Sequence, residues 1–134
     1  MLELLAPAGN LDAVIAAVQN GADAVYMGFG DGFNARRSAD NFTRESFVKA
    51  VRYCHIRGCK VYVTLNTLVG DREMEAAAAL AQQASDAGAD AILVQDLGLA
   101  RVLRDALPDI PLHASTQMSI HNLAGVEAAA EMGI

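Results

Sequence analysis

Apolar positions along the chain alternate between short β-type runs and longer stretches of helical period, one after the other without interruption. Leu2 to Leu5 predicts a first strand, closed by the turn Ala6-Pro7-Ala8-Gly9, because proline suits neither a helix interior nor a central strand. Asn10 then predicts the N-cap of a helix with Leu11, Val14, Ile15 and Val18 on one stripe, and Gly21 ends it in the left-handed position. A second strand runs from Ala24 to Gly28. The second helix starts at Thr43, turns Phe47, Val48, Val51 and Cys54 inward and stops at Gly58.

The third strand, Lys60 to Leu65, is rich in β-branched and aromatic residues. Asp71 predicts the cap of a third helix, with Glu73 and Glu75 in the first turn where the helix dipole favours them. Leu80, Ala84 and Ala87 lie along that helix and Gly88 stops it. Ala91 to Val94 reads as a fourth strand. A fourth helix carries Leu99, Val102, Leu103 and Leu107 and breaks at Pro108, and Pro111 to Ala114 reads as a fifth strand. The fifth helix carries Leu123, Val126 and Ala130 and stops at Gly133, leaving Ile134 as the expected first residue of a sixth strand.

Gly21-Ala22-Asp23-Ala24 recurs as Gly88-Ala89-Asp90-Ala91, each copy where a helix ends and a strand begins. Such alternation predicts an α/β chain with a parallel sheet and right-handed crossovers. Two closures compete on pattern alone. One is an incomplete eight-fold (β/α) barrel of TIM type, with about five β/α units. The other is a flavodoxin-like doubly wound sheet.

Composition narrows the class. With 134 residues, 53% of them apolar, the chain is long enough for one domain with a core. No run of about 18 apolar residues is present, so no membrane span is expected. Glu3 stands where a secretory leader would carry a basic residue, so a cytoplasmic location is expected. Cys54 and Cys59 match no metal-ligand spacing and are expected as buried small hydrophobes. The net charge of −6 argues against a general nucleic-acid binder, yet Arg36, Arg37, Arg44, Lys49, Arg52, Arg57 and Lys60 crowd one stretch. That stretch is either a basic strip or the solvated face of a helix.

In either parallel fold, function sits at the carboxyl ends of the strands. The polar residues there are Asn34 and Arg36 after strand two, Thr64 and Asn66 at strand three, Gln95 and Asp96 at strand four, and His113, Ser115, Gln117 and His121 around and after strand five. The connection from Phe29 to Phe42 is longer than usual for a β/α loop, and loops of that length are commonly functional. Arg36 within it suits a carboxylate or phosphate, or an ion pair with Asp31 or Asp40. His113, Ser115 and Asp96 invite comparison with a Ser/His/Asp triad, but Ser115 lies in no Gly-x-Ser-x-Gly elbow. His113, His121 and Asp96 fit no recognised metal spacing, so no metal is expected. His113 is better read as orienting a substrate, and His55 as a surface histidine.

Six segments spread over nearly the whole chain stand out together: Glu3 to Gly9, Gly21 to Tyr26, Phe33 to Arg36, Lys60 to Thr67, Val94-Gln95-Asp96, and His113 to Gln117 with His121-Asn122. In these segments the chain resembles the collagenase-like peptidase family U-32. The chain is most similar to the branch with a long additional C-terminal region, which includes a ribosomal RNA cytidine hydroxylase. The resemblance implies a barrel, with residues 1–134 as a single partial barrel domain from the N-terminal part of a longer protein. It implies either a protease or an iron–sulfur-dependent hydroxylation of RNA bases, with an RNA or peptide substrate. It also implies a cluster bound through downstream cysteines, with no cofactor in this chain itself. Asn34, Arg36, Asn66, Gln95 and His113 carry over as mouth-lining residues without a catalytic role. An alternative is an inactive folding or assembly unit, self-associating through open sheet edges.

Overall fold

The computed structural model describes residues 2–35 and 41–134. Five strands, β1 (Leu5–Pro7), β2 (Ala24–Met27), β3 (Lys60–Leu65), β4 (Ala91–Val94) and β5 (Leu112–Ala114), alternate with five helices. These are α1 (Leu11–Gln19), α2 (Arg44–His55), α3 (Met74–Asp86), α4 (Leu97–Ala106) and α5 (Leu123–Glu131), with a single 3₁₀ turn at Thr116–Met118 before the last. The sheet is parallel throughout and its order is β1-β2-β3-β4-β5.

Strictly sequential order decides the closure. A flavodoxin-like sheet reverses direction after its first strands and carries helices on both faces. Here each crossover steps the same way, which puts every helix on one face. The packing agrees. Val25, Met27, Val61 and Val63 sink into one apolar cluster with Val14, Phe47, Val51 and Cys54. Leu65, Ile92, Val94 and Leu112 sink into a second with Ala77, Ala81, Leu99 and Leu103. The alternate residues Ala24, Tyr62 and Ala91, with Tyr26 and Leu93, form a small cluster on the opposite, inner face. The structure is therefore an open, barrel-like sheet of five strands.

Asn10, Thr43, Asp96 and Asn122 cap α1, α2, α4 and α5 through their side chains. Gly21, Gly58, Gly88 and Gly133 take φ between 71° and 101° just beyond α1, α2, α3 and α5, a region that other residues enter only with strain. At the end of α2, Cys59 N donates to Cys54 O at 3.0 Å, the long bond of a Schellman turn. The two buried cysteines are thus the apolar pair that accompanies such a turn.

The repeated Gly-Ala-Asp-Ala segments have a shared job. Asp23 Oδ2 accepts from Leu4 N at 2.7 Å, and Asp90 Oδ2 accepts from Val61 N at 2.7 Å. Each aspartate ties the start of its own strand to the start of the preceding one. Asp90 Oδ2 also meets His55 Nε2 at 2.8 Å, so His55 is a bridge between α2 and β4 rather than a free surface histidine.

Four expectations are corrected. β1 lies at Leu5–Pro7 rather than Leu2 to Leu5, and Ala6-Pro7 is strand, not turn. Proline is tolerated because β1 is an edge: Ala8 N donates to Tyr26 O, which turns the Pro7 nitrogen toward the unpaired side. Asp71 does not cap α3; the helix begins at Met74 without a side-chain cap, and Glu73 instead accepts from Gly70 N. Val48 and Val102 are 45% and 37% exposed, at the margins of stripes centred on Phe47 and Leu103. On α5, Leu123 and Val126 are 72% and 54% exposed, and no residue of that helix is buried.

Candidate functional site

Period-two alternation carries the polar residues of β3, β4 and β5 onto the inner face and its upper rim. Thr64 is buried, and its Oγ1 donates to Met27 O at 3.3 Å, stitching β3 to β2. Two residues on, Asn66 spans the rim. Its Oδ1 accepts from Ala35 N at 3.1 Å and its Nδ2 donates to Ser115 Oγ at 3.4 Å. One amide thereby links the loop after β2 to the end of β5.

Asn34 Nδ2 donates to Asn41 Oδ1 at 3.0 Å, closing that loop on itself. The pair lies directly over Gly28, where a Cβ would collide with both amides. Asn34, Asn41, Thr64 and Asn66 line a cleft of about 80 Å³ with Pro7, Tyr26 and Gly28. Arg36, Arg37 and Asp40 lie outside the described residues.

The β4 and β5 side holds a larger cavity of about 640 Å³, lined by Gln95, Asp96, Gln117 and His121 among others. Asp96 is already engaged: Oδ1 accepts from Leu99 N at 2.8 Å and Oδ2 from Val69 N at 3.3 Å. His121 Nδ1 lies 2.8 Å from the carbonyl oxygen of Ser119, a residue itself held at φ 58°. The candidate residues therefore form two groups rather than one.

His113 belongs to neither. It sits on the inner face with its ring edge-on to Tyr62, centroids 4.8 Å apart at 82°. Tyr62 Oη donates to Glu3 Oε1 and Oε2 at 2.8 and 2.9 Å, and Lys60 Nζ reaches Glu3 at 3.5 Å. Burial holds the His113 imidazole below its ordinary pKa, against the Glu3 carboxylate that raises it. Burial, reinforced by the Glu3 carboxylate that accepts its hydrogen bond, pushes the Tyr62 phenol up. Sequence pattern missed Glu3 and Tyr62. Period two along β3, which puts Tyr62 on the face of Thr64, was the signal that could have found the second.

The triad does not assemble. Ser115 Oγ is within reach of Asn66 Nδ2 and accepts from Gln117 N at 3.3 Å, while His113 lies against Tyr62 and Asp96 caps α4. Among the described residues, no three His, Cys, Asp or Glu side chains gather as a metal site. The cysteines do not fit an iron–sulfur cluster either. Both are buried behind the sheet, and burial pushes the Cys54 thiol up to about 12, far from the thiolate a cluster needs. Along α2, Lys49 pairs with Glu45 at 2.8 Å and the Arg57 guanidinium stacks 3.7 Å over Tyr53. Two of the clustered cations are thus spent within their own helix and turn.

Comparison with known proteins adds relatives to this geometry. The chain is 40% identical over 132 residues to the 23S rRNA 5-hydroxycytidine C2501 synthase of Escherichia coli, 98% of this chain and 19% of that protein. It is 37% identical over 132 residues to the tRNA hydroxylation protein P1 of Bacillus subtilis, 98% of this chain and 31% of that protein. It is also 35% identical over 121 residues to a collagenase of Porphyromonas gingivalis, 90% of this chain and 28% of that protein. The chain thus spans less than a third of each. Among solved structures, the U32 peptidase Mk0906 superposes with a TM-score of 0.78 at 16% identity, covering 99% of this chain and 56% of that one. The fold of a lyase, the Bacillus subtilis HMG-CoA lyase, is similar at a TM-score of 0.66 and 18% identity, over 97% of this chain and 50% of that one. The sequence profile of peptidase family U32 matches residues 9–134, so this open, barrel-like chain belongs to that family.

Proposed function

We propose that this chain contributes one side of the substrate-binding mouth of a longer enzyme that hydroxylates an RNA base. The relatives by themselves support two readings, since RNA hydroxylation proteins and a collagenase match at similar identity. The observation that carries the choice is the rim itself, where Asn66 joins Ala35 N to Ser115 Oγ and Gln95 and Gln117 line the adjoining cavity with further amides. Amides suit the recognition of a base edge.

The mouth residues in this reading are Asn34, Asn66, Gln95, Ser115, Gln117 and His121, with Thr64, Asp96 and His113 holding the strands and helix beneath them; Arg36 is assigned to the mouth by its place in the sequence alone. They bind and orient; the reacting groups come from outside residues 1–134. An iron–sulfur cluster, if the longer protein holds one, takes its cysteines from there too. No described helix is long and apolar enough to cross a membrane; a cytoplasmic location is part of this reading.

The test is expression of the longer protein in cells lacking their own RNA base hydroxylases, followed by mass spectrometry of ribosomal and transfer RNA. A new hydroxylated base supports the reading. Unchanged RNA together with cleavage of peptides by the purified protein overturns it. The assembly-unit alternative draws on the exposed Leu2, Leu4 and Leu5 along the β1 edge, 98%, 56% and 41% accessible. It predicts a dimer or larger species of the 134-residue chain by light scattering, and a monomer of native-like stability refutes it.

A further inference from the structure

The cavity between the starts of α4 and α5 has a chemistry of its own, and the inference drawn from it rests on the RNA-base reading. At about 640 Å³ it falls within the range of small-molecule sites. Leu97, Met118, Ile120 and Met132 supply apolar walls. Among the described residues no lysine or arginine lines it, His121 at its edge is turned to Ser119 O, and both oxygens of Asp96 already accept backbone N–H groups. A phosphate or a peptide carboxylate entering this space would lose its hydration and meet no lysine or arginine among the described residues. The occupant it suits is neutral, flat and mostly apolar.

Two amides remain at its edge. Among the described residues, neither Gln95 nor Gln117 spends its side chain on a protein hydrogen bond. A carboxamide offers a donor and an acceptor side by side, the complement of the paired donor and acceptor on the Watson–Crick edge of a base. Methionine thioethers pack well against the face or edge of an aromatic ring.

The geometry points to a pocket for a nucleobase turned out of its strand, clasped by Met118 and Met132 and read by the amides of Gln95 and Gln117. Ribose and phosphates stay outside the cavity.

The experiment is a titration of the 134-residue chain with cytidine, following methionine methyl resonances, with ribose 5-phosphate as the control ligand. Met118 and Met132 are expected to shift with cytidine, while Met27, buried behind the sheet at 2% exposure, stays in place. Gln117→Ala and Ala128→Leu, the first removing an amide and the second filling the cavity from α5, are expected to weaken cytidine binding about tenfold or more. The exposed Gln117 side chain makes the first variant safe for folding. Unmoved Met118 and Met132 at millimolar cytidine, or equal shifts with ribose 5-phosphate, overturn the pocket.

The longer protein separates this inference from the reading beneath it. RNA hydroxylation undiminished by Ala128→Leu overturns the pocket and leaves the RNA reading standing. Cytidine binding lost in Gln117→Ala, beside a longer protein that leaves RNA unmodified, upholds the pocket and overturns the RNA reading.

Discussion

Helices α2 and α5 each follow a parallel strand, each has a side-chain N-cap and each ends at a glycine, yet they are packed very differently. α2 buries Phe47, Ala50, Val51 and Cys54, and Phe29 stacks on Phe47 with centroids 4.8 Å apart. α5 buries nothing, and Met132 and Ile134 just beyond it do more to reach the core than Leu123 or Val126. The difference lies in neighbours rather than in amphipathicity. α2 is flanked on both sides by complete β/α units, whereas α5 stands after the last strand with a unit on one side only. A β/α repeat becomes solid when the next one is laid against it.

Breaking the centre should therefore hurt most. Phe47→Ala removes a fully buried ring from the cluster that joins α1, α2, β2 and β3 and is expected to cost about 3–5 kcal/mol. Urea unfolding followed by circular dichroism measures it. A loss under about 1 kcal/mol would mean that the centre is no better packed than the margin.

The two copies of the Gly-Ala-Asp-Ala segment give the next contrast. Asp90 Oδ2 accepts from Val61 N, a half-buried bond, and meets His55 as well, whereas Asp23 accepts from Leu4 N at the exposed edge. Asp90→Ala is expected to cost about 1–3 kcal/mol because a strand N–H loses its partner away from water. Asp23→Ala should cost clearly less, since water replaces the lost acceptor. Equal losses in the same denaturation assay would defeat the edge-and-centre distinction.

That distinction also explains how far the sequence could be read. The alternation of strand and helix was legible because Val61, Val63, Ile92 and Val94 must all face the helical layer, and the caps Asn10 and Thr43 were legible because their interactions are local. Two of the errors lie at the margins, where tertiary context decides. Pro7 looks forbidden in a strand until β1 is known to be an edge, and the apolar stripe of α5 looks buried until its missing neighbour is known. In the candidate site, the strand-end positions could be placed on one rim of the sheet from period two alone. What they do there was not legible, because Asn66 bridging Ala35 to Ser115 joins three segments far apart in sequence.

The inner face offers a pH test of the same contrast. His113 sits on β5, and burial sets its pKa below 6.5 in the folded chain, with Glu3 opposing the shift and Lys60 adding to it. A lowered folded pKa means that the unfolded chain takes up the proton first. This contribution to stability is complete above the unfolded value of 6.5 and is lost as pH falls through the folded value. Denaturation midpoints should drop between pH of about 7.5 and 5, and His113→Gln should flatten that part of the fall. If the variant keeps the full slope, the imidazole is already solvated and β5 is looser than its inner-face contact with Tyr62 implies.

The smallest effect belongs to α5. Val126 is 54% exposed, so truncating it removes little apolar area from contact, and Val126→Ala is expected to change stability by no more than about 0.5 kcal/mol. Alanine's better helix propensity offsets part even of that. The sharper readout is hydrogen exchange. Amides of α5 should exchange through local opening, well before those of α2, which need the Phe47 cluster to come apart. In a longer protein that supplies the next β/α unit, Leu123 and Val126 would gain a partner, and the same truncation should then cost several times more. An unchanged small loss there would mean that α5 is marginal by its own sequence, and the explanation by neighbours would fail.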